Sequence, residues 1–379
     1  MRSPLLLVFV AGLVGCHGKP VEPDAPDCGT PCLGPECHSP VTVSAGLDHT
    51  CAVGSDAHAY CWGDNSAGQL GDGTTVLHIV PVQVLGLDDV VEVGAGFWFS
   101  CARISSGEVW CWGLDNAGQL GDGLPYGDID RFFPTPKRVE GLDDVVRLSV
   151  GAGHACALRA DGTVWCWGHG PETGGIAGRS TPPTRIGDRF CAREIMVGGD
   201  ISCAIRADQT LWCWGSNSRG ELGDGTTIDH PRPVQVTAVD DAIALASAVM
   251  TCALTAAGRV TCWGLVDPTL LRPPSVDAVD ITVGLSHACV RTSAARTLCW
   301  GRNDLGQLGN GAATGVPSDP VGPVEVAGLN ATEIHAGWEH TCARTDRHAV
   351  TCWGLNENGQ LGDGTFIDRA MPADVVGLP

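Results

Sequence analysis

The sequence predicts an all-β chain assembled from seven copies of one four-stranded unit, and three observations carry that prediction. Cysteines recur in pairs ten positions apart: Cys51/Cys61, Cys101/Cys111, Cys156/Cys166, Cys203/Cys213, Cys252/Cys262, Cys289/Cys299 and Cys342/Cys352. Successive pairs begin about fifty residues apart, and the second cysteine of each opens the tripeptide Cys-Trp-Gly. Between the members of a pair, nine residues read as strand, turn and returning strand. A repeat of this length points to a solenoid or a propeller, because each unit buries its apolar face only against a neighbour.

The hairpin is the first element of the unit. In the stretch from Cys156 to Cys166, the three residues Ala160, Asp161 and Gly162 suit a three-residue loop with Gly162 in the left-handed position; Gly107 and Gly258 stand at the same point in other copies. That loop sets the two cysteines directly across from each other. Opposed residues lie about 4.5–5.5 Å apart at Cα, within disulfide range, so each pair is expected to bridge its own hairpin. Closing such a ring removes about 3 kcal/mol of denatured-state entropy in the simple chain model. The bridges stiffen hairpins without fixing the global fold. Trp62, Trp112, Trp167, Trp214, Trp263, Trp300 and Trp353 follow the second cysteines and so face the opposite side of the sheet from the sulfurs. A stacking platform for sugars or bases needs exposed rings; the uniform recurrence favours indoles buried between sheets.

A second shared block follows, Asp-Asn-Ser-Ala-Gly-Gln-Leu-Gly-Asp-Gly-Thr at 64–74, echoed at Leu114–Gly123, Ser216–Thr226, Arg302–Gly311 and Leu355–Thr365. Glycines at fixed offsets mark a compact loop. Asp72, Asp122, Asp224 and Asp363 invite a calcium reading, but the sixth copy has Asn310 there, and one carboxylate per repeat falls short of the six or more oxygens calcium takes. Next come proline-containing extended segments such as Pro81–Val84, Pro233–Val236 and Pro323–Val326, which suit edge strands. Alternating apolar strands such as Val90–Gly96 and Val145–Gly151 then lead to the following repeat.

These blocks resemble the regulator of chromosome condensation repeat family, whose units carry Ala-Gly-x-x-His, a hairpin ending in Trp-Gly, and Asn-x-x-Gly-Gln-Leu-Gly. Here the likeness rests on Ala45–His49, Ala336–His340 and Gly68–Gly71, and it covers residues 41–379. The resemblance implies a seven-bladed β-propeller with four-stranded blades. Paired cysteines depart from the usual family pattern and suit an oxidising compartment. The end of the chain, Met371–Leu378, reads as an outer-strand segment that the first repeat lacks in front of it. A ring closed by Val41–Ala45 and Pro372–Leu378 sharing one blade is therefore expected.

Ahead of the repeats, one basic residue and the apolar run Leu5–Val14 read as a signal peptide over 1–15, too short to cross a bilayer. The sequence Leu13-Val14-Gly15-Cys16 resembles a bacterial lipoprotein processing site, with Cys16 as the lipid-bearing residue. His17 in place of aspartate suggests, by resemblance to Gram-negative sorting rules, the outer membrane or cell surface. Residues 16–40, rich in proline, glycine and aspartate, read as a tether. Its Cys28, Cys32 and Cys37 make an even set with Cys191, pointing to two more disulfides rather than a metal cluster.

Twenty-three Lys and Arg against 43 Asp and Glu give a net charge of −20, which argues against a nucleic-acid partner. Family members that exchange nucleotides on a GTPase and dock on chromatin are for that reason poor functional models. Neither a nucleophile elbow, a His-Glu-x-x-His pair nor a phosphate loop occurs in the sequence, so no catalytic residue, metal site or cofactor is assigned. His49, His154, His287 and His340 sit two residues before the first cysteines, but Phe99, Ile201 and Met250 fill that slot elsewhere, which marks it as a packing position.

Recognition is what remains. The loop just ahead of that slot resembles the contact loop of family members that bind proteins through one propeller face. Large residues fall in repeats six, seven, one and two, adjacent only in a closed ring. Leu285, Trp338, Leu47, Phe97 and Trp98, with Asp48 and Glu339 as an acidic fringe, are the candidate binding patch. The expansion 124–136, with Tyr126, Phe132 and Phe133, is a second candidate loop. The reading is a monomeric, lipid-anchored, non-catalytic binding scaffold for a protein or other macromolecule of the envelope. A polysaccharide hydrolase or lyase using the central pocket, favoured by carboxylates converging on the axis, and a structural adhesin are the alternatives.

Overall fold

A computed structural model describes residues 42–123, 131–170, 181–187, 190–264, 275–313 and 321–379. Cys16, the signal and tether segments, and Tyr126 lie outside them. Within the described residues the hairpins form as the loop chemistry dictates. Gly162 is left-handed at φ 78°, its N–H donates to the Arg159 carbonyl, and Cys156 stands opposite Cys166.

All seven expected bridges form, each inside its own hairpin: Cys51–Cys61, Cys101–Cys111, Cys156–Cys166, Cys203–Cys213, Cys252–Cys262, Cys289–Cys299 and Cys342–Cys352. One feature of them needs correction. Their Cα atoms lie only 4.0–4.1 Å apart. An unbridged opposed pair stands at about 4.5–5.5 Å, and the covalent link draws the two strands together. The cysteines are core residues rather than parts of an accessible site. Cys61, Cys111, Cys166, Cys213, Cys299 and Cys352 expose nothing to solvent, whereas Cys262, in the fifth hairpin, is half-buried. Cys191 is disulfide-bonded too.

Each hairpin supplies the middle two strands of an antiparallel sheet, flanked by the alternating apolar strand on the inside and the proline-containing strand on the outside. Blade 1 is Val43–Ala45, His49–Val53, Ala59–Gly63 and His78–Gln83, paired in chain order. Seven such sheets form a ring; six have four strands and the fifth shows three among the described residues. The expected shared blade is absent. Blade 7 consists of Ala331–Ala336, His340–Thr345, Val350–Gly354 and Arg369–Asp374, so every blade is one unbroken stretch of chain. The glycine-rich block is compact enough to return the chain to its own Cys-Trp-Gly strand, leaving nothing to be completed by the terminus.

Closure is instead carried by the contact that joins every intact pair of neighbours. In blade 1, the block carbonyl of Gln69 accepts from the Trp112 indole N–H at 2.8 Å and from the Ser100 hydroxyl at 2.9 Å, both on blade 2. Between blades 7 and 1, Gln360 accepts in the same way from Trp62 at 2.9 Å and Thr50 at 2.8 Å. The indoles of six blades are essentially inaccessible. Trp263 of blade 5 is only half-buried. Trp300 of blade 6 has no acceptor for its indole N–H among the described residues, and the blade before it is the eroded fifth copy.

The glycine ending the Gln-Leu-Gly run lies against the next indole. At Gly362, φ is +67° and an added Cβ would sit 2.7 Å from Trp62 Nε1. Gly362→Ala is therefore expected to lower stability by about 2–4 kcal/mol, a backbone penalty plus overpacking at the closing seam, measured by urea unfolding. Ala295, left-handed at φ 58° where other hairpins carry glycine, predicts the opposite sign. Ala295→Gly should stabilise by about 0.5–1 kcal/mol in the same assay.

Candidate binding face and axial channel

The histidine slot belongs to the seams. His49 Nε2 lies 2.8 Å from Ser100 Oγ, His287 Nε2 2.8 Å from Thr341 Oγ1, and His340 Nε2 2.9 Å from Thr50 Oγ1. Because these hydroxyls donate onward to block carbonyls, the imidazole N–H is the donor to them. His154 stands 2.8 Å from Ser202 in the same way. Where the slot holds Phe99 or Met250, the facing residue of the next blade is Ala155 or Ala288, so the pair changes together. Burial pushes His49 and His287 down to about 4 and His154 and His340 to about 3. These rings are neutral packing elements, as the mixed occupancy of the slot implies.

Inner strands run along the axis and surround a channel of about 690 Å³. Side chains of one blade satisfy the exposed strand edge of the next. Ser44 accepts from Ala95 N–H at 3.0 Å, Thr282 from Ala336 N–H at 2.7 Å, and His335 Nδ1 from Ala45 N–H at 3.1 Å. Glu333 accepts from the N–H groups of Thr42 and Val43, while Glu92 accepts from Leu148 N–H at 3.2 Å. The charged residues of this lumen are of both signs. Glu92 pairs with Arg103 at 2.7 Å and Asp280 with Arg291 at 3.7 Å, and Arg344 reaches across the seam to Thr42. Burial, offset by the arginines, raises the Glu92 carboxyl and brings that of Glu194 up to about 6.

At the far end of the inner strands the backbone crowds the axis. Leu47 N–H donates to the Gly96 carbonyl, Phe97 to Ala152, Gly199 to Ala248, Leu285 to Trp338 and Trp338 to Gly46, making a belt around the channel mouth. Glycine is required there: an added Cβ on Gly337 would lie 2.5 Å from the Gly46 oxygen. The loop residues that follow stand on this mouth. Phe97 of blade 2 meets Trp338 of blade 7 edge to face at 4.8 Å, bridging over blade 1, and Trp98 packs on Phe97 at 5.7 Å. Trp98 is 42% exposed, and Leu47, Phe97, Leu285 and Trp338 are half-buried. Blades 3 to 5 carry only Ala152, Gly153, Gly199, Asp200, Ala248 and Val249 there.

Two expectations need correction here. Glu339 is no fringe residue: at 8% exposure it accepts from Ser286 and Gln307 within the seam between blades 6 and 7. Phe132 and Phe133 are not loop residues but begin the outer strand Phe132–Arg138 of blade 2, where Lys137 lies over the Phe133 ring. Asp48 is half-buried, and its carboxyl is raised by burial and by repulsion from Asp64 and Glu357 against a hydrogen bond from Asn358. Sequence reasoning missed the charges of the lumen; the signal available was the recurrence of a charged residue two positions into five of the seven inner strands, at Glu92, Arg147, Glu194, Asp280 and Glu333.

Residues 56–103, 106–158, 208–253 and 296–344 match the family model for the regulator of chromosome condensation (RCC1) repeat. A second model of that repeat matches 41–69, 90–119, 145–172, 194–221 and 332–360. The chain is 28% identical over 357 residues to the ultraviolet-B receptor UVR8 of Arabidopsis thaliana, covering 90% of this chain and 71% of that one. It is 28% identical over 275 residues to the human E3 ubiquitin-protein ligase HERC2, covering 65% of this chain and spanning only 6% of that relative. Among solved structures, Prp20p of Saccharomyces cerevisiae, described with its binding to Gsp1p and histones, superposes with a TM-score of 0.72 at 19% identity over 90% of this chain and 87% of that one. The ectodomain of the Arabidopsis thaliana receptor kinase ACR4 gives 0.52 at 18% identity, over 90% and 99%. At such identities these two likenesses speak for the fold.

The seam chemistry predicts a transplantable pair. Folded-state histidines held below the unfolded value of 6.5 stabilise fully above pH 6.5, and that stability is lost as pH falls toward their folded values of about 3 to 4. His49→Phe with Ser100→Ala, copying Phe99 and Ala155, should fold and should lose stability less steeply with acid, by about 1.4 kcal/mol per pH unit between pH 6.5 and 4, measured by urea titration.

Proposed function

The chain belongs to the regulator of chromosome condensation repeat family, and from that premise we propose that it is a non-catalytic scaffold that captures a protein on the mouth-bearing face of the propeller. One observation carries the reading. Phe97, Trp98 and Trp338 converge on one side of the channel mouth, while the opposite side is lined by small residues. Nothing in the seams requires this asymmetry, since blades 3 and 4 make the same belt with alanine and glycine. Clustered aromatics beside a shallow, small-residue surface are the usual anchors of a protein interface, large in area and low in entropy cost. Leu47 and Leu285 extend the crescent, with Asp48 as its acidic margin.

Seven disulfides among the described residues suit export, and the anchor at Cys16, with the outer membrane or cell surface as its location, is part of the same proposal. The hydrolase reading needs two axial carboxylates free to exchange protons with a glycosidic bond. Here Glu92 and Glu333 are committed to strand-edge N–H groups and Asp280 to an arginine, which weighs against it.

Affinity capture from envelope extract, read by mass spectrometry, tests the face. Trp98→Ala combined with Trp338→Ala should reduce partner recovery at least tenfold while leaving the cooperative melt within a few degrees of the parent. Undiminished recovery by a folded double variant would remove the crescent as the binding surface.

A further inference from the structure

Cys191 carries a bond that the hairpins do not account for. It is disulfide-bonded, whereas the fourteen hairpin cysteines are bonded among themselves. Of the 19 cysteines only Cys16, Cys28, Cys32 and Cys37 remain, all ahead of Thr42. With Cys16 as the proposed lipid attachment, on which this step rests, the partner is Cys28, Cys32 or Cys37. The fold places both ends of that connection. Thr42 leads into the inner strand of blade 1, Val43–Ala45, and Cys191 into that of blade 4, Ala192–Val197, so both stand where the channel begins, opposite the mouth. Blade 7 fixes Thr42 on the channel wall. Glu333 accepts from its N–H at 2.9 Å and from its hydroxyl, while Arg344 donates to the hydroxyl at 2.8 Å and to the carbonyl at 3.1 Å. Blade 4 holds Cys191 through its carbonyl, which accepts from Ala207 N–H at 3.0 Å.

We propose that the end of the channel opposite the mouth is the docking surface for this chain's own N-terminal segment, which crosses it from Thr42 on blade 1 and is held at blade 4 by the Cys191 disulfide. Blades 1 and 4 stand on opposite sides of a seven-membered ring. Sheets stack about 10 Å apart, which separates the first and fourth inner strands of such a ring by about 22 Å. Pro31, Pro35 and Pro40 favour an extended chain, which rises about 3.1 Å per residue and needs no strand partner. The ten residues from Cys32 to Thr42 then cover about 31 Å, and the fourteen from Cys28 about 43 Å. The five from Cys37 cover about 16 Å, and the ~6 Å between bonded Cα atoms completes the span. Each of the three cysteines therefore reaches. Unlike the hairpin bridges, this one joins blades that are distant both in the ring and along the chain. Whatever holds the N-terminus is thereby kept on the side away from Trp98 and Trp338.

Non-reducing peptide mapping of the full chain should recover the Cys191 peptide linked to one containing Cys28, Cys32 or Cys37. Docking across the opening is read separately. Val279 is the second residue of the blade 6 inner strand, Ala278–Val283, at that same end of the channel, and is 38% exposed. The chain has only two lysines, Lys19 and Lys137, so Val279→Lys supplies a distinct acylation site. A bulky succinimidyl ester should label that lysine at least tenfold more slowly with the disulfide in place than in the same chain carrying Cys191→Ser and the matching Cys28→Ser, Cys32→Ser or Cys37→Ser. A Cys191 that is unbonded or linked to a second copy, or equal labelling of the two chains, would overturn the proposal. A link to Cys16 would overturn it together with the lipid anchor. Mapping of the parent chain decides even where the serine variants do not fold, and the mouth face keeps its own test.

Discussion

The ring depends on one carbonyl oxygen at each seam that follows an intact glycine-rich block. In blades 1, 6 and 7 the block glutamine turns its backbone oxygen toward the next blade, where an indole N–H and a hydroxyl both donate to it and the hydroxyl in turn receives the imidazole N–H of the first blade, whereas Gln119 of blade 2, whose slot holds Phe99, accepts from the Trp167 indole alone. Each donor is buried, so a lost acceptor would leave a polar group unsatisfied in a dry interior. Glycine after the Gln-Leu pair is what lets the loop lie flat on the indole. The cysteines, by contrast, act inside single hairpins. Blade stiffness and ring cohesion are therefore separate properties, one covalent and one made of buried hydrogen bonds.

Local chemistry was legible in the sequence. The cysteine register follows from a three-residue loop with a left-handed third residue, and Gly107, Gly162 and Gly258 adopt it; Ala57, Gln209, Ala295 and His348 adopt it too, held there by the flanking strands. Packing of the histidine slot was legible from its mixed occupancy. What was misread was the sheet to which the outer strand belongs. Proline marks an edge strand without saying whose edge it is, and that choice is made by the compact block, whose glycines fold the chain back on itself. Pairing of His49 with Ser100, or Phe99 with Ala155, was written in the sequence but becomes visible only when blade n is known to face blade n+1. Ile201 facing Thr251 breaks the rule, and there the threonine hydroxyl donates to the Glu221 carbonyl and lies 3.5 Å from Ser247 Oγ.

Burial of Glu339 had no such signature. It follows Trp338 in a loop that reads as exposed, and only the neighbouring blade supplies Ser286 and Gln307 to hold it. The lumen charges share this origin. A propeller leaves the inner edge of every sheet unpaired, and Glu92, Glu333, Ser44, Thr282 and His335 answer that need from the adjacent blade. Charged residues near the axis are thus first a solution to the edge problem, and a carboxylate count there says little about catalysis.

Quasi-symmetry supplies the criterion that separates structure from function. Seven blades face the same requirements at the seams, the belt and the inner edges, so a residue answering one of them recurs or is replaced together with its partner. Phe97 and Trp338 recur nowhere else and have no replaced partner; alanine or glycine makes the same belt hydrogen bond in blades 3 and 4. Arg147 is likewise alone, a cation where four other blades place a carboxylate, and it satisfies no strand edge. A repeat protein spends its identical positions on closing the ring, and its capacity to recognise something lies in the positions where one blade differs from the rest without loss to the fold.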